Sequence, residues 1–274
     1  MVFLAGDTTT IARSVERDLK LNEYLAKYNI SASKRFLDET APIRDNWPYL
    51  YLLEPSIPVL FYFLAALLAL LWWRSWTTLS KIHKPLINEN PRLISLELAA
   101  LGAGFMLIEA FGISKGAVLF GSTWQVNTVV VSGVLLMVLG ANFLASKLPN
   151  IPRIYIYPLI LLATAVLYQF PYEYLFTFDT LTRAGVYGLL APLPLFFSGY
   201  CFARAYTDSN NRSAALGVNL FGALIGGMVQ LSSYAFGIRS AVLFAGVAYL
   251  LAAIARMLHD QGRGFQSVSR TQNP

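Results

Sequence analysis

Glu109 is the residue best placed to do chemistry in this chain. It stands inside an apolar run, Leu93–Ile113, of about 20 residues, long enough to cross a hydrocarbon core of about 30 Å. A carboxylate there is costly against lipid, so it should face protein or water. It could be a proton-accepting polar site, or a structural carboxylate bonded to a neighbouring helix or paired with Lys115. One acid without a chain of partners is not a relay. The expectation is therefore the structural role, with a donor from another helix or a water within reach. Glu97 lies about 120° away around the same helix, so the two acids form no common face. Its position near the helix start is explained by the dipole. Asn127, Asn142 and Asn219 are uncharged polar groups inside other apolar runs, as is Gln230. Interhelical hydrogen bonds worth about 0.6–2 kcal/mol each are their expected use. With Glu109, the three asparagines make up a candidate intramembrane polar site, and a substrate pathway would need several of them to converge. Glu173 and Asp179 read as solvated loop acids.

No nucleophile stands beside a base at catalytic spacing, so no catalytic residue is named. Cys201 is the single cysteine, and His83 and His259 lie far apart, so neither a metal nor a cofactor site is expected. No basic run with interleaved aromatics calls for nucleic acid.

The elements that must position these residues are membrane helices. The chain is 56% hydrophobic and only 13% charged, against about 25% charged in soluble domains. Its partner is therefore first of all the lipid bilayer. The spans read as Ile57–Trp73, Leu93–Ile113, Val126–Ser146, Ile154–Phe170, Leu181–Ala203, Ala214–Ala235 and Ala241–Met257. Aromatic belts (Trp72, Trp73 and Trp76; Tyr155 and Tyr157; Tyr168, Tyr172 and Tyr174) flank them. Pro192 and Pro194 should kink the fifth span. Gly222 and Gly226 form a GxxxG pattern for close helix packing. Residues 1–56 are polar. They include a short apolar run at Val2–Ala5 and an amphipathic helix from Ile11 to about Tyr28, and should form a small N-terminal cap. Residues 57–258 are the bundle, and 259–274 a disordered polar tail. The expected fold class is thus an all-α polytopic membrane protein, a seven-transmembrane-helix bundle with a small soluble cap.

Several short motifs occur in a recognisable order. They are Gly102-Ala103-Gly104-Phe105-Met106-Leu107-Ile108-Glu109, Leu119-Phe120-Gly121, Ala215-Leu216-Gly217-Val218-Asn219 and Phe236-Gly237-Ile238-Arg239. Ahead of them stands Arg44-Asp45-Asn46-Trp47-Pro48-Tyr49-Leu50-Tyr51-Leu52, followed by Ile57-Pro58. Together they resemble the membrane part of bacterial polytopic spermidine-synthase-like proteins, with Asn46 where that family carries a second Asp. The resemblance implies a Rossmann aminopropyl- or methyltransferase domain joined to the bundle, and a bacterial cytoplasmic membrane. Residues 1–45 hold no Gly-rich loop after a strand, so that domain's nucleotide site and chemistry have no residues to map onto.

Alternating spans sort the basic residues. Arg74, Lys81, Lys84, Arg92, Lys147, Arg153, Arg204, Arg212, Arg256, Arg263 and Arg270 fall on one side, against Lys115, Arg183 and Arg239 on the other. The positive-inside rule makes the first side cytoplasmic, with the C-terminus, and puts residues 1–56 outside, whereas the resemblance to a nucleotide-using domain implies that segment inside; the charge rule is preferred, since a segment without a nucleotide site has no need of the cytoplasm. The expected function is that of a non-catalytic membrane subunit, packing against other membrane subunits and offering residues 1–56 to a soluble partner. The alternatives are a small-solute transporter or channel using Glu109 and the broken fifth span, or the membrane half of a split aminopropyltransferase-like enzyme.

Overall fold

A computed structural model describes residues 46–49, 55–67, 69–70, 91–121, 123–209 and 211–271. All of them belong to one compact unit, Ile43–Pro274. The expected N-terminal apolar run, the amphipathic helix, the Trp72–Trp76 belt and the end of the first span lie outside the described residues.

The described chain is helical with no strand. The order is α1 (described over 59–67 and 69–70), α2 (Pro91–Phe120), α3 (Thr123–Lys147), α4 (Tyr157–Gln169), α5 (Thr180–Leu190), α6 (Leu193–Asp208), α7 (Arg212–Val229), α8 (Ser233–Phe236) and α9 (Arg239–Thr271). Five stretches are long and apolar enough to cross a membrane: Leu93–Phe120, Trp124–Lys147, Thr180–Asp208, Arg212–Phe236 and Arg239–Gly262. In hydrocarbon, a helix satisfies its own backbone, which is why apolar runs of this length take that form.

The fourth expected span is shorter than the reading Ile154–Phe170. A 3-10 turn, Arg153–Tyr155, leads into the 13-residue α4, about 20 Å long and short of a 30 Å core. Proline sets both limits: Pro158 fixes the first turn, and Pro171 disfavours helical backbone at Phe170. The fifth span is broken. α5 ends at Leu190 and α6 begins at Leu193, with Pro192 between them and Pro194 in its first turn. Pro192 has no N–H to give the Gly188 carbonyl. That carbonyl lies against Gly133 of α3, where any Cβ would overlap it. The tail is not irregular through its length, since α9 continues to Thr271. No proline interrupts 239–271, and a helix already nucleated extends at little cost.

Glycines set the tightest contacts. α7 lies on α2 with Gly222 against the Ala99 carbonyl, Gly226 against the Ala103 carbonyl, and Gly102 against the Asn219 carbonyl. Gly104 of α2 makes room for the ring of Tyr249 on α9, which is fully buried. The core built around these contacts includes Leu101, Ile108, Phe111, Ile160, Leu167, Tyr187, Leu195 and Tyr249. Away from it, Leu135, Leu136, Leu139 and Phe143 of α3, and Leu243, Val247 and Leu250 of α9, are exposed. An apolar outer surface on an apolar core is what a helix in lipid requires.

Candidate functional site

Two groups of polar side chains lie at opposite ends of the bundle. At one end Arg183 holds three carbonyls: Nε to Leu175 at 3.0 Å, Nη1 to Leu119 at 3.3 Å and Nη2 to Phe178 at 3.1 Å. Asp179 caps α5, accepting from the amides of Leu181 and Thr182. Its hydrogen bonds with Thr182 hold its carboxyl below the usual range. The Lys115 ammonium lies 5.2 Å from the centre of the Tyr172 ring. Burial raises the Tyr172 hydroxyl above the ordinary phenol range, partly offset by the charge of Arg239. Tyr187 donates to the Gly112 carbonyl at 2.7 Å.

The same end carries a clamp built from two of the sequence motifs. Asn46 accepts twice, from the Ile238 amide at 2.8 Å through its carbonyl and from the Arg239 amide at 3.0 Å through its side chain. The second bond caps α9, satisfying a donor that has no partner inside its helix. Trp47 Nε1 donates to the Tyr234 carbonyl at 2.7 Å, and the Tyr49 and Ser233 hydroxyls meet at 2.7 Å. Tyr49 and Phe61 both pack on the Tyr234 ring. Gly237 has φ +85° and Asn46 directly against it, so both its backbone and its lack of a Cβ are required.

The opposite end holds a buried ionic cluster. Glu97 is 1% exposed. Its Oε1 accepts from the Tyr157 hydroxyl at 2.8 Å and lies 3.4 Å from Arg153 Nη1. The Arg153 contact is an ion pair without hydrogen-bond geometry, since Nη1 has no hydrogen-bond partner among the described residues. Arg153, 8% exposed, reaches Asp208 at 3.8 Å, and Asp208 meets Arg204 at 3.5 Å. On α9, Arg256 pairs with Asp260 at 2.6 Å, and His259, 4% exposed, lies 3.5 Å from Asp260. Among the described residues, both ring nitrogens of His259 and Oε2 of Glu97 have no hydrogen-bond partner. Cys201 points its thiol at the Arg153 carbonyl, and Tyr200 ties down the Leu148 and Ile151 carbonyls at 2.8 and 3.1 Å.

The structure does not assemble the intramembrane site drawn from sequence. Glu109 is half-buried, and no described residue donates to it or pairs with it. Lys115, six residues along, projects about 120° away around the helix and lies over Tyr172 instead. Asn127 and Asn142 are exposed and about 22 Å apart along α3. Asn219 donates to the Leu98 carbonyl at 3.0 Å, an interhelical bond within the α2–α7 contact. Gly222 and Gly226 serve that same contact. Pro192 and Pro194 mark the α5–α6 break.

Glu97 is the residue whose reading changes most. It sits a full turn beyond the start of α2, too far in for the dipole to explain it. Its partner Arg153 is remote in sequence. One signal was available: the start of the second span, the loop after the third, the end of the fifth and the end of the seventh share a side, and they carry Glu97, Arg153, Asp208 and His259. Among the described residues, no group of three or more His, Cys, Asp or Glu side chains could hold a metal ion. The concavity along α1 is lined by Leu60, Phe61, Phe63, Leu64 and Leu67, with no polar side chain.

A helical architecture with several apolar helices of crossing length is compatible with a membrane protein. Compared with known proteins, the chain matches no family model, no curated protein and no solved structure.

Proposed function

We propose that this chain is a non-catalytic integral membrane subunit. Its bundle is a rigid support that fixes the segment entering it at Asn46 and presents residues 1–56 to a partner. The observation that carries this reading is the Asn46–Tyr49 clamp. Two backbone amides, an indole, a hydroxyl pair and packed rings hold Asn46, Trp47 and Tyr49 against the segment from Ser233 to Arg239. A segment with no mechanical role would not need such fixing. The other polar groups support the same reading, since Arg183, Tyr187, Tyr200 and Asn219 are all spent on carbonyls of neighbouring elements.

Seven spans complete the proposal, with α1 and the short α4 added to the five long ones. The clamp shares an end with Arg239, and His259 shares an end with Arg153. An odd number of crossings between Asn46 and His259 accounts for both. The basic side, carrying Arg153, Arg204 and Arg256, is cytoplasmic, as in a bacterial inner membrane, and residues 1–56 lie outside. Kinship with the membrane part of spermidine-synthase-like proteins belongs to the same proposal. Two of the motifs behind that resemblance, Asn46–Tyr49 and Phe236–Arg239, meet in the clamp.

The test is copurification from native membranes in mild detergent, comparing the wild type with Asn46→Ala. The proposal expects a stable complex larger than the chain, weakened by the substitution while the bundle stays folded. A chain that runs alone and moves a small solute across liposomes would support the transporter reading instead. A bound Rossmann-domain protein with transferase activity would support the split enzyme.

A further inference from the structure

We propose that the outer faces of α3 and α4 fit a thin bilayer and gather phospholipids with short acyl chains, of about 14 carbons rather than about 18. The inference rests on the membrane reading above, with α4 among the spans, and names the lipid that surrounds them.

α3 carries the first observation. The helix has 25 residues and is about 38 Å long, ample for a core of about 30 Å. Its outer face is not apolar over that length. Asn127 and Asn142 are both exposed and about 22 Å apart along the axis. Neither amide bonds to a described residue. The exposed apolar side chains between them are Val131, Leu135, Leu136 and Leu139. Two hydroxyls share the stretch and are cheap in lipid. Thr128 donates to the Trp124 carbonyl at 2.8 Å, and a serine such as Ser132 has the same local bond open to it. A primary amide has two N–H donors and a carbonyl to satisfy, which takes water or headgroups. In a core of about 30 Å at least one of the two amides would sit unpaired in hydrocarbon.

α4 gives the same height through different residues. Its outer face runs from Tyr155 to Gln169, both exposed, with Leu159, Leu162 and Val166 between them. A tyrosine hydroxyl and a glutamine amide at its two ends are interfacial groups, and they stand about 21 Å apart. Pro171 stops the helix from lengthening, and the next polar residue, Glu173, is exposed beyond it. Both α3 and α4 pack on α6. α9 is less demanding. Arg239 and Arg256 bracket it about 26 Å apart, and long arginine side chains reach outward to the headgroups. The short amides of α3 and α4 therefore set the band, about 8 Å less than an ordinary core. Any tilt of the helices lowers it further. A bilayer meets such a band by thinning or by enrichment in short chains.

The test places the full chain in vesicles of monounsaturated phosphatidylcholine with chains of fourteen, eighteen or twenty-two carbons. Thermal unfolding is read by tryptophan fluorescence. The wild type should be most stable with fourteen carbons and lose roughly 4–8 °C with eighteen. The triple variant Asn127→Leu, Asn142→Leu, Gln169→Leu changes exposed positions alone, so the packing is kept. Its α3 band runs on to Trp124 and Lys147, about 34 Å apart, and its optimum should move to longer chains. In mixed vesicles, quenching of tryptophan by brominated lipids should show the short-chain lipid favoured next to the wild type. A wild type most stable with eighteen or twenty-two carbons, or a triple variant with the wild-type optimum, would overturn the inference and leave the membrane reading standing. A chain stripped from the vesicles by alkaline carbonate would overturn both.

Discussion

Replacing Gly222 with alanine should separate backbone contact from helix propensity. α7 carries two glycines in opposite situations. A Cβ at Gly222 would overlap the Ala99 carbonyl and its neighbouring backbone atoms, whereas a Cβ at Gly217 meets nothing within 4 Å. Backbone cannot rotate aside as a side chain can, so α2 and α7 must move apart. Forcing extra atoms into a packed interior costs about 1–3 kcal/mol, and the rigidity of the neighbour argues for the upper part of that range. At about 2–4 °C per kcal/mol for a chain of this size, Tm should fall by roughly 4–10 °C. Gly217→Ala removes the conformational freedom of glycine in an exposed helix position. It should gain about 0.5–1 kcal/mol, or at least lose nothing. The assay is thermal unfolding of both variants in the same detergent, read by tryptophan fluorescence. Opposite signs are expected. If both substitutions stabilise, or both are neutral, α2 and α7 do not touch through their backbones and the packing described above is wrong.

Arg153→Met should be among the most damaging changes at the other end, by about 3–5 kcal/mol, because it strands the buried Glu97 carboxylate; thermal unfolding measures it. Tyr187→Phe removes one buried hydroxyl from the Gly112 carbonyl and should cost about 1 kcal/mol in the same assay. The Asp179 cap has a definite pH sign. The folded carboxyl lies below its unfolded value, so the cap's contribution is present at neutral pH and lost as pH falls through the lowered value. The protection of the Leu181 and Thr182 amides, measured relative to the intrinsic exchange rate at each pH, should fall on acidification, and Asp179→Asn should remove that dependence.

The helices were legible because their signal is local. Runs such as Leu93–Ile113 and Val126–Ser146 declare themselves by length and composition, and Pro192 declares the break after α5. The short α4 was less visible, since Pro158 and Pro171 trim a run whose hydropathy alone reads as a span. The ionic cluster was hidden because it is made of pairs remote in sequence. Glu97 meets Arg153 and Tyr157 only after α2, α4, α6 and α9 have packed. Glu109 attracted attention because a charge inside an apolar run is conspicuous, yet the bundle leaves it half-buried beside no donor among the described residues. The clamp shows a third case. Asn46, Trp47 and Gly237 stood out as motif residues, but nothing local says that Asn46 caps a helix beginning at Arg239.

The mass of the complex extracted from native membranes tests the central claim most directly. Native mass spectrometry of the wild type should give a discrete assembly heavier than the 30.3 kDa chain, containing other membrane subunits in fixed ratio. Asn46→Ala should shift the population toward the lone chain while its thermal unfolding stays cooperative. A wild-type chain found alone at 30.3 kDa, folded and driving solute flux in liposomes, would contradict the account.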